Sequence, residues 1–431
     1  MTTTGPTAAR SGEPAPRFTV TTRPIADPGD LLLRLPAHEP TAWIRGGDGL
    51  IGWGVAAALE VRGDERFSRA QRWWSTLLSS ADIDDRVSIP GTGPVAFASF
   101  AFDPDAGTSL VTVPQVVVGR RKGQAWVTTI DVPGTDAHGA SDPRTFIAPA
   151  SVPSAPGAIT WSDGAKSPAE WQDAVADAVA RIRAGELDKV VLARDVIARV
   201  EGSLDVRYLL HRLSADYPSC WTFSVGGLAG ATPELLVRRT GDLVTSRVLA
   251  GTVRRKGDQS ADASLARALM ASDKDTEEHE YAVHSVAKAL GAHCTDLDVP
   301  DQPHVLELAN VQHLATDVTG RLADSATVLA LAASLHPTAA VCGTPTERAM
   351  TLIRKIEGMD RGRYAGPVGW FDRHGDGEFG IALRCAEVDE AEGTVRAFAG
   401  CGIVSGSEPV DELAESIAKL LPIRRALEEG R

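Results

Sequence analysis

Paired cysteines, long apolar runs and an excess of basic charge are all missing from this chain of 431 residues. Its five cysteines, Cys220, Cys294, Cys342, Cys385 and Cys401, are scattered and form no CxxC pair. Zinc ribbons and redox dithiols need such pairs, so the cysteines read as reduced thiols of a cytoplasmic protein. The longest apolar stretch, Val328–Leu335, is far short of the roughly 20 residues that cross a bilayer, so no membrane role is expected. Lys and Arg number 44 against 57 Asp and Glu, a net charge of -13. A nucleic-acid surface needs clustered cations and is not expected. A small anion could still find a basic pocket inside an acidic protein. The first residues, Met1 to Phe18, are rich in Thr, Ala, Pro and Gly, lack an apolar signal segment and read as a disordered tail.

What remains has the composition of a soluble globular protein. Residues 19–150 read mainly as strands and turns, with apolar segments at Leu31-Leu32-Leu33, Ala42-Trp43-Ile44 and Val95 to Phe100, and a helical pattern from Arg66 to Ala81. This part is expected to add strands and helices to the same body as the rest. A Pro/Ser/Gly-rich connection, Ala148 to Gly157, leads into the region 158–428. There Ser167-Pro168-Ala169-Glu170 is a capping box with Pro at the first helical position. Trp171, Val175, Ala178, Val179 and Ile182 follow at helical spacing, and Gly185 offers a stop. Lys189 to Val200 is β-rich. A hairpin is expected at 235–249 around Gly241-Asp242. Helices are expected at 260–272, 275–291, 325–335, 344–357 and 409–428, and strands at 366–372, 378–387 and 394–399. Helices mixed with hairpins, without regular βαβ alternation, predict an α+β fold.

Two motifs mislead. Gly47-Asp48-Gly49-Leu50-Ile51-Gly52 matches GxGxxG, but Trp53-Gly54 makes a poor helix start, so the segment reads as a glycine-rich hairpin. His279 and His284 lie five apart, and zinc on a helix needs four, so no zinc peptidase is expected.

Two acidic helical turns point elsewhere. Lys274-Asp275-Thr276-Glu277-Glu278-His279 places Asp275 and Glu278 at i and i+3, and Glu412-Leu413-Ala414-Glu415 repeats the spacing. Each pair projects from one helical face, and carboxylates so crowded repel unless a cation lies between them. All-oxygen ligands suit a hard ion, and Mg2+ fits best if it also binds an anionic substrate. In the second turn Lys419 lies four residues after Glu415, on the same side, with Leu413, Ile417 and Leu420 expected on an opposite apolar side.

From Lys189 on, an ordered set of segments accompanies these turns: Lys189-Val190-Val191-Leu192-Ala193-Arg194, Thr232-Pro233-Glu234, Leu249-Ala250-Gly251-Thr252, His313-Leu314, His336-Pro337-Thr338, Tyr364-Ala365-Gly366-Pro367, Ala382-Leu383-Arg384 and Gly400-Cys401-Gly402. Over about 160–425 the set strongly resembles the chorismate-utilising enzymes: isochorismate synthases, salicylate synthases, and the large subunits of anthranilate and aminodeoxychorismate synthases. The resemblance implies one large domain of two packed antiparallel sheets with helices outside, and a deep pocket for chorismate and Mg2+. It implies Glu278 and Glu415 as metal ligands, with Asp275 and Glu412 as an outer pair. It implies substrate contacts at Thr252, His313, Ala340, Tyr364, Arg384, Gly400, Cys401, Gly402 and Lys419. Arg384 offers a planar fork for a carboxylate, and glycines let backbone N–H groups approach a ligand closely.

The family divides by nucleophile. Aminodeoxychorismate synthases typically carry a lysine where this chain has Ala250, which excludes their covalent chemistry. Lys189 stands where water-using members have their base. A lysine serves as a general base only when neutral. Glu234 matches the general acid, which must hold a proton and so implies a raised pKa. Water would attack C2 of chorismate as the C4 hydroxyl departs, giving isochorismate. Such an isomerase needs no glutaminase partner, and the resemblance suggests a monomer. Salicylate synthases use the same pair and then eliminate pyruvate. They tend to have Thr where this chain has Ala340, so isochorismate synthase is the favoured reading and salicylate synthase the alternative. The product's destination, menaquinone or a siderophore, stays open.

Overall fold

The capping box at Ser167 forms in a computed structural model of the chain, whose described residues are 18–428 apart from 38, 133–145 and 147. Ser167 Oγ accepts from the Glu170 amide at 3.3 Å, and Glu170 Oε2 accepts from the Ser167 amide at 2.8 Å. Two amides that a helix start leaves unpaired are thereby satisfied. The helix Pro168–Arg183 buries Trp171, Val175, Ala178, Val179 and Ile182, as their spacing requires. Gly185, at φ +77°, ends it in a conformation that costs glycine least. The chain then enters the long strand Lys189–Val200.

That strand lies in a 13-stranded sheet, packed on a 10-stranded one. Among the described residues all pairings are antiparallel except Thr19–Ile25 with Asp82–Asp85. The α+β expectation with two packed antiparallel sheets therefore holds. Strands from before residue 150 enter both sheets: Thr41–Arg45 pairs with Trp221–Val225, and Val95–Ser99 with Pro367–Asp372. Trp43, Trp126, Trp221 and Trp370 belong to the main apolar core and are 2% exposed or less. Burying side chains of this size stabilises the fold by roughly 3 kcal/mol each. A second apolar layer joins Leu209 and Leu213 of the helix Val206–Asp216 to Leu420 and Ile423 of the C-terminal helix Pro409–Glu428.

The other expected helices form at Arg66–Ser79, Gln259–Met270, Asp273–Leu290, Val328–Leu335 and Thr346–Ile356. The glycine-rich decoy is a hairpin: Gly46 and Gly47, both at positive φ, join Thr41–Arg45 to Asp48–Trp53. Several expectations need correction. Leu31-Leu32-Leu33 is not extended. Asp30 Oδ1 accepts from the Leu32 amide at 2.9 Å and starts a single 3-10 turn, Leu32–Arg34. The strand expected at 378–387 is two strands, Gly377–Ile381 in the smaller sheet and Cys385–Asp389 in the larger. Between them the chain crosses from sheet to sheet, and Arg384 sits at φ +49°. Thr394–Ile403 runs further than expected. The expected tail lies outside the described residues except for Phe18, which is 7% exposed and belongs to the core.

Candidate active site

The strand Lys189–Val200 is bordered by Thr394–Ile403 in the larger sheet, and the helix Asp273–Leu290 packs on the smaller sheet through the strand Leu243–Arg254. These elements and the C-terminal helix surround one cavity. It is lined by Glu234, Thr252, Glu278, His313, Ala340, Tyr364, Arg384, Gly400, Gly402, Glu415 and Lys419, residues drawn from segments far apart in the chain. Lys189 is fully buried beside it, its Nζ 3.0 Å from Glu278 Oε1. The contact is not a hydrogen bond, and Nζ makes none. A buried donor in that state is poised for a further partner.

Gly402 makes the contact possible. A Cβ built there would fall 2.2 Å from Glu278 Oε1 and 3.1 Å from Lys189 Cε. The strand can run this close to both side chains only because it carries no side chain of its own at that point. Ladder geometry also orients the glycines. Val191 and Ala193 turn their amides outward, to Cys342 O and to Glu357 Oε1, both at 2.8 Å. Opposite residues of an antiparallel pair share their orientation. Gly402 and Gly400, which face them, therefore also turn their N–H groups away from the strand Lys189–Val200. Cys401, opposite Leu192, spends its amide in the ladder. Its side chain points away from the cavity, with Sγ donating to Glu412 O at 3.3 Å. The expectation of a substrate contact at Cys401 is corrected on both counts.

Arg384, thrown into the gap by the sheet crossing, donates from Nη2 to His313 Nε2 at 3.1 Å. A guanidinium only donates, so Nε2 is the acceptor and Nδ1 carries the imidazole proton. That proton points at Thr252 Oγ1 (3.0 Å) and Gly251 O (3.3 Å). Burial, then the charges of Arg384 and Lys419, hold His313 well below its ordinary pKa, so it is neutral. A bulge at Gly251, with φ +73°, shifts the register between Ala250 and Thr252 and brings both residues to the cavity wall. Tyr364 stacks on Phe398 with ring centroids 5.0 Å apart, and burial raises its phenol, keeping it a donor. Glu234 is 4% exposed. Burial pushes its carboxyl up to about 8, against the lowering pull of Arg384 and Lys189. It is therefore mainly protonated at neutral pH.

The two acidic turns contribute unequally. Glu278 and Glu415 line the cavity, whereas Asp275 and Glu412 do not. Glu412, Glu415 and Cys401 bring ligand atoms within 4.8 Å of one another, and of the three Glu415 lines the cavity. Lys419 pairs with Glu415 at 2.5 Å and donates to Gly400 O at 2.9 Å. Burial alone would lower its ammonium, but Glu415 outweighs that and raises it. Ile417, expected on the apolar side of this helix, is 44% exposed. His279 is buried and bonds Thr316 Oγ1 at 2.7 Å while His284 is exposed, so the zinc decoy is empty of meaning.

Sequence reasoning missed Arg361 and Glu357. Arg361 lines the cavity and donates to Val191 O (2.7 Å) and Val341 O (2.9 Å), with Glu357 as its buried counter-ion. Glu357 in turn accepts the Ala193 amide, so the pair clamps the strand that carries Lys189. The i, i+4 spacing of the two, just before Tyr364, was the available signal.

Comparison with known proteins shows the family. Residues 42–428 match the family model of the chorismate binding enzymes. The chain is 36% identical to the salicylate biosynthesis isochorismate synthase of Pseudomonas aeruginosa, over 87% of this chain and 82% of that protein. It is 31% identical to the isochorismate synthase MenF of Bacillus subtilis, over 88% and 85% respectively. The solved structure of the menaquinone-specific isochorismate synthase MenF from Escherichia coli superimposes with a TM-score of 0.77 at 27% identity, over 97% of each chain.

Proposed function

This chain belongs to the chorismate-binding enzyme family, and we propose that it isomerises chorismate to isochorismate. One observation carries water addition at C2, the step that isochorismate and salicylate synthases share: the buried carboxyl of Glu234, which burial pushes up to about 8, and the buried amine of Lys189 stand at the same cavity. In its neutral form, Lys189 takes a proton from the water that bonds to C2. The ring double bonds shift, and Glu234 gives its proton to the C4 hydroxyl, which leaves as water. One water enters and one departs, so the product is an isomer of the substrate. Ala250 leaves no lysine at the position where aminodeoxychorismate synthases typically carry theirs.

The substrate has two carboxylates. Arg384, held by neutral His313, and Tyr364 bind one of them, helped by the amides of Gly400 and Gly402. The donor set for the other fits Mg2+: two carboxylates, Glu278 and Glu415, face one cavity, and Gly402 leaves room against Glu278. Bound there, Mg2+ would neutralise these carboxylates and hold a substrate carboxylate beside them. Lys419 neutralises Glu415 and fixes the Gly400 carbonyl, so the C-terminal helix and the glycine strand keep their spacing. The reading further includes a cytoplasmic enzyme acting alone as a monomer, without a glutaminase. No helix among the described residues is long and apolar enough to cross a membrane.

Product analysis after incubation with chorismate and Mg2+ tests the proposal. Isochorismate as the accumulating product is expected, and Lys189→Ala should abolish turnover while still binding chorismate. Stoichiometric salicylate and pyruvate would replace this reading with a salicylate synthase, against the expectation from Ala340 in the cavity wall. Dependence on ammonia would replace it with an anthranilate synthase.

A further inference from the structure

A second cavity, of about 360 Å³, lies between the strand Ile159–Asp163, the strand Lys189–Val200 and the C-terminal helix. We propose that it binds a small carboxylate with an apolar body, and that its occupancy is felt at the active site. Arg194 forms part of its wall and is 4% exposed. The nearest carboxylate, Asp163, is 3.8 Å from Arg194 Nη2, beyond hydrogen-bond range, and Arg194 Nε is buried with no partner. A guanidinium buried in this state lacks the acceptors that buried charges ordinarily find. Burial also pulls its pKa below the ordinary arginine value, against the pull of Asp163.

The remaining wall selects the ligand. Arg424, stacked over the Trp161 ring at 4.8 Å, adds a second cation at the rim. Leu420 and Ile417 supply apolar surface, and Ile417 is the residue left 44% exposed. A carboxylate offers two coplanar oxygens to the Arg194 fork, while its hydrocarbon part covers Ile417 and Leu420. Inorganic phosphate would leave that apolar wall wet and bring more charge to Asp163.

Both walls are shared with the active site. Side chains on a strand alternate between its faces, so Arg194 and Val196 project opposite to Lys189 and Val191. On the C-terminal helix, Glu415 and Lys419 face the active cavity, while Ile417, Leu420 and Arg424 face the second one. A ligand that braces Arg194 and Leu420 therefore presses on the same two elements that place Lys189 and Glu415.

Calorimetric titration of the full chain with hexanoate, into the millimolar range and without chorismate, tests the site independently of the reaction. Hexanoate should bind, hexanol should not, and Ile417→Trp, whose indole fills the cavity from an exposed position, should weaken hexanoate about tenfold or more. That variant should retain chorismate turnover, which shows that it folds. Hexanoate should change the KM for chorismate in the wild type and not in Ile417→Trp. No binding, equal binding of hexanol, or binding that survives Ile417→Trp overturns the site. An unchanged KM at saturating hexanoate overturns the coupling.

Discussion

Replacing Gly402 with alanine adds one methyl group to the most crowded point of the catalytic cavity. The φ of Gly402 is not in the left-handed region, so alanine carries no backbone strain. The effect is steric. The new Cβ meets Glu278 Oε1 at 2.2 Å, whereas ordinary contact begins at 3.4 Å, so the carboxylate must retreat by about 1.2 Å. It is the far end of a flexible side chain and can turn aside without moving the backbone. Displacing it moves a proposed metal ligand and separates it from Lys189, 3.0 Å away. Misplacement of a catalytic group by about 1 Å costs on the order of 100-fold in rate. Gly402→Ala should therefore lose about 100-fold in kcat/KM for chorismate, with a thermal midpoint close to the wild type and a higher Mg2+ requirement. The assay is chromatographic measurement of isochorismate formation across a series of Mg2+ concentrations, beside a melting curve. Adding Glu278→Asp, which draws the carboxylate back by one methylene, should recover part of the loss. A Gly402→Ala enzyme within about threefold of wild type, less than 1 kcal/mol in the barrier, would refute the argument.

The remaining predictions concern protons and a buried ion pair. Because Glu234 must donate a proton and its carboxyl is pushed up to about 8, turnover should fall as pH rises through that value, and Glu234→Gln should remove turnover at every pH. The folded carboxyl binds its proton more tightly than the unfolded one near 4.5, so Glu234 lowers stability as pH rises from about 4.5 to about 8. Glu234→Gln should lack that slope and gain stability relative to wild type at alkaline pH, by a few kcal/mol at most. Denaturant midpoints measured across this range that run parallel in the two proteins would contradict it. Glu357→Gln keeps an acceptor for the Ala193 amide but strips Arg361 of its buried counter-ion, and should cost about 3–5 kcal/mol in equilibrium unfolding. A loss below about 1 kcal/mol would mean that the pair does not clamp the strand.

Sequence alone determined what depends on neighbours along the chain. The capping box at Ser167, the helical stripe from Trp171 to Ile182, the hairpin beneath the GxGxxG decoy and the i, i+3 acidic turns all follow from spacings of a few residues. The ordered segments also named most of the side chains that line the cavity. Tertiary structure decided the rest, because it turns on which strands lie side by side. An apparently continuous strand at 378–387 breaks because its two halves pair in different sheets, and that crossing places Arg384. Cys401 is removed from the site, and Gly400 and Gly402 kept in it, by the pairing partner each meets in the strand Lys189–Val200. The raised carboxyl of Glu234 and the closeness of Lys189 to Glu278 arise from burial and from the missing side chain at Gly402. These are properties of a cavity assembled from distant segments, and no local pattern in the chain encodes them.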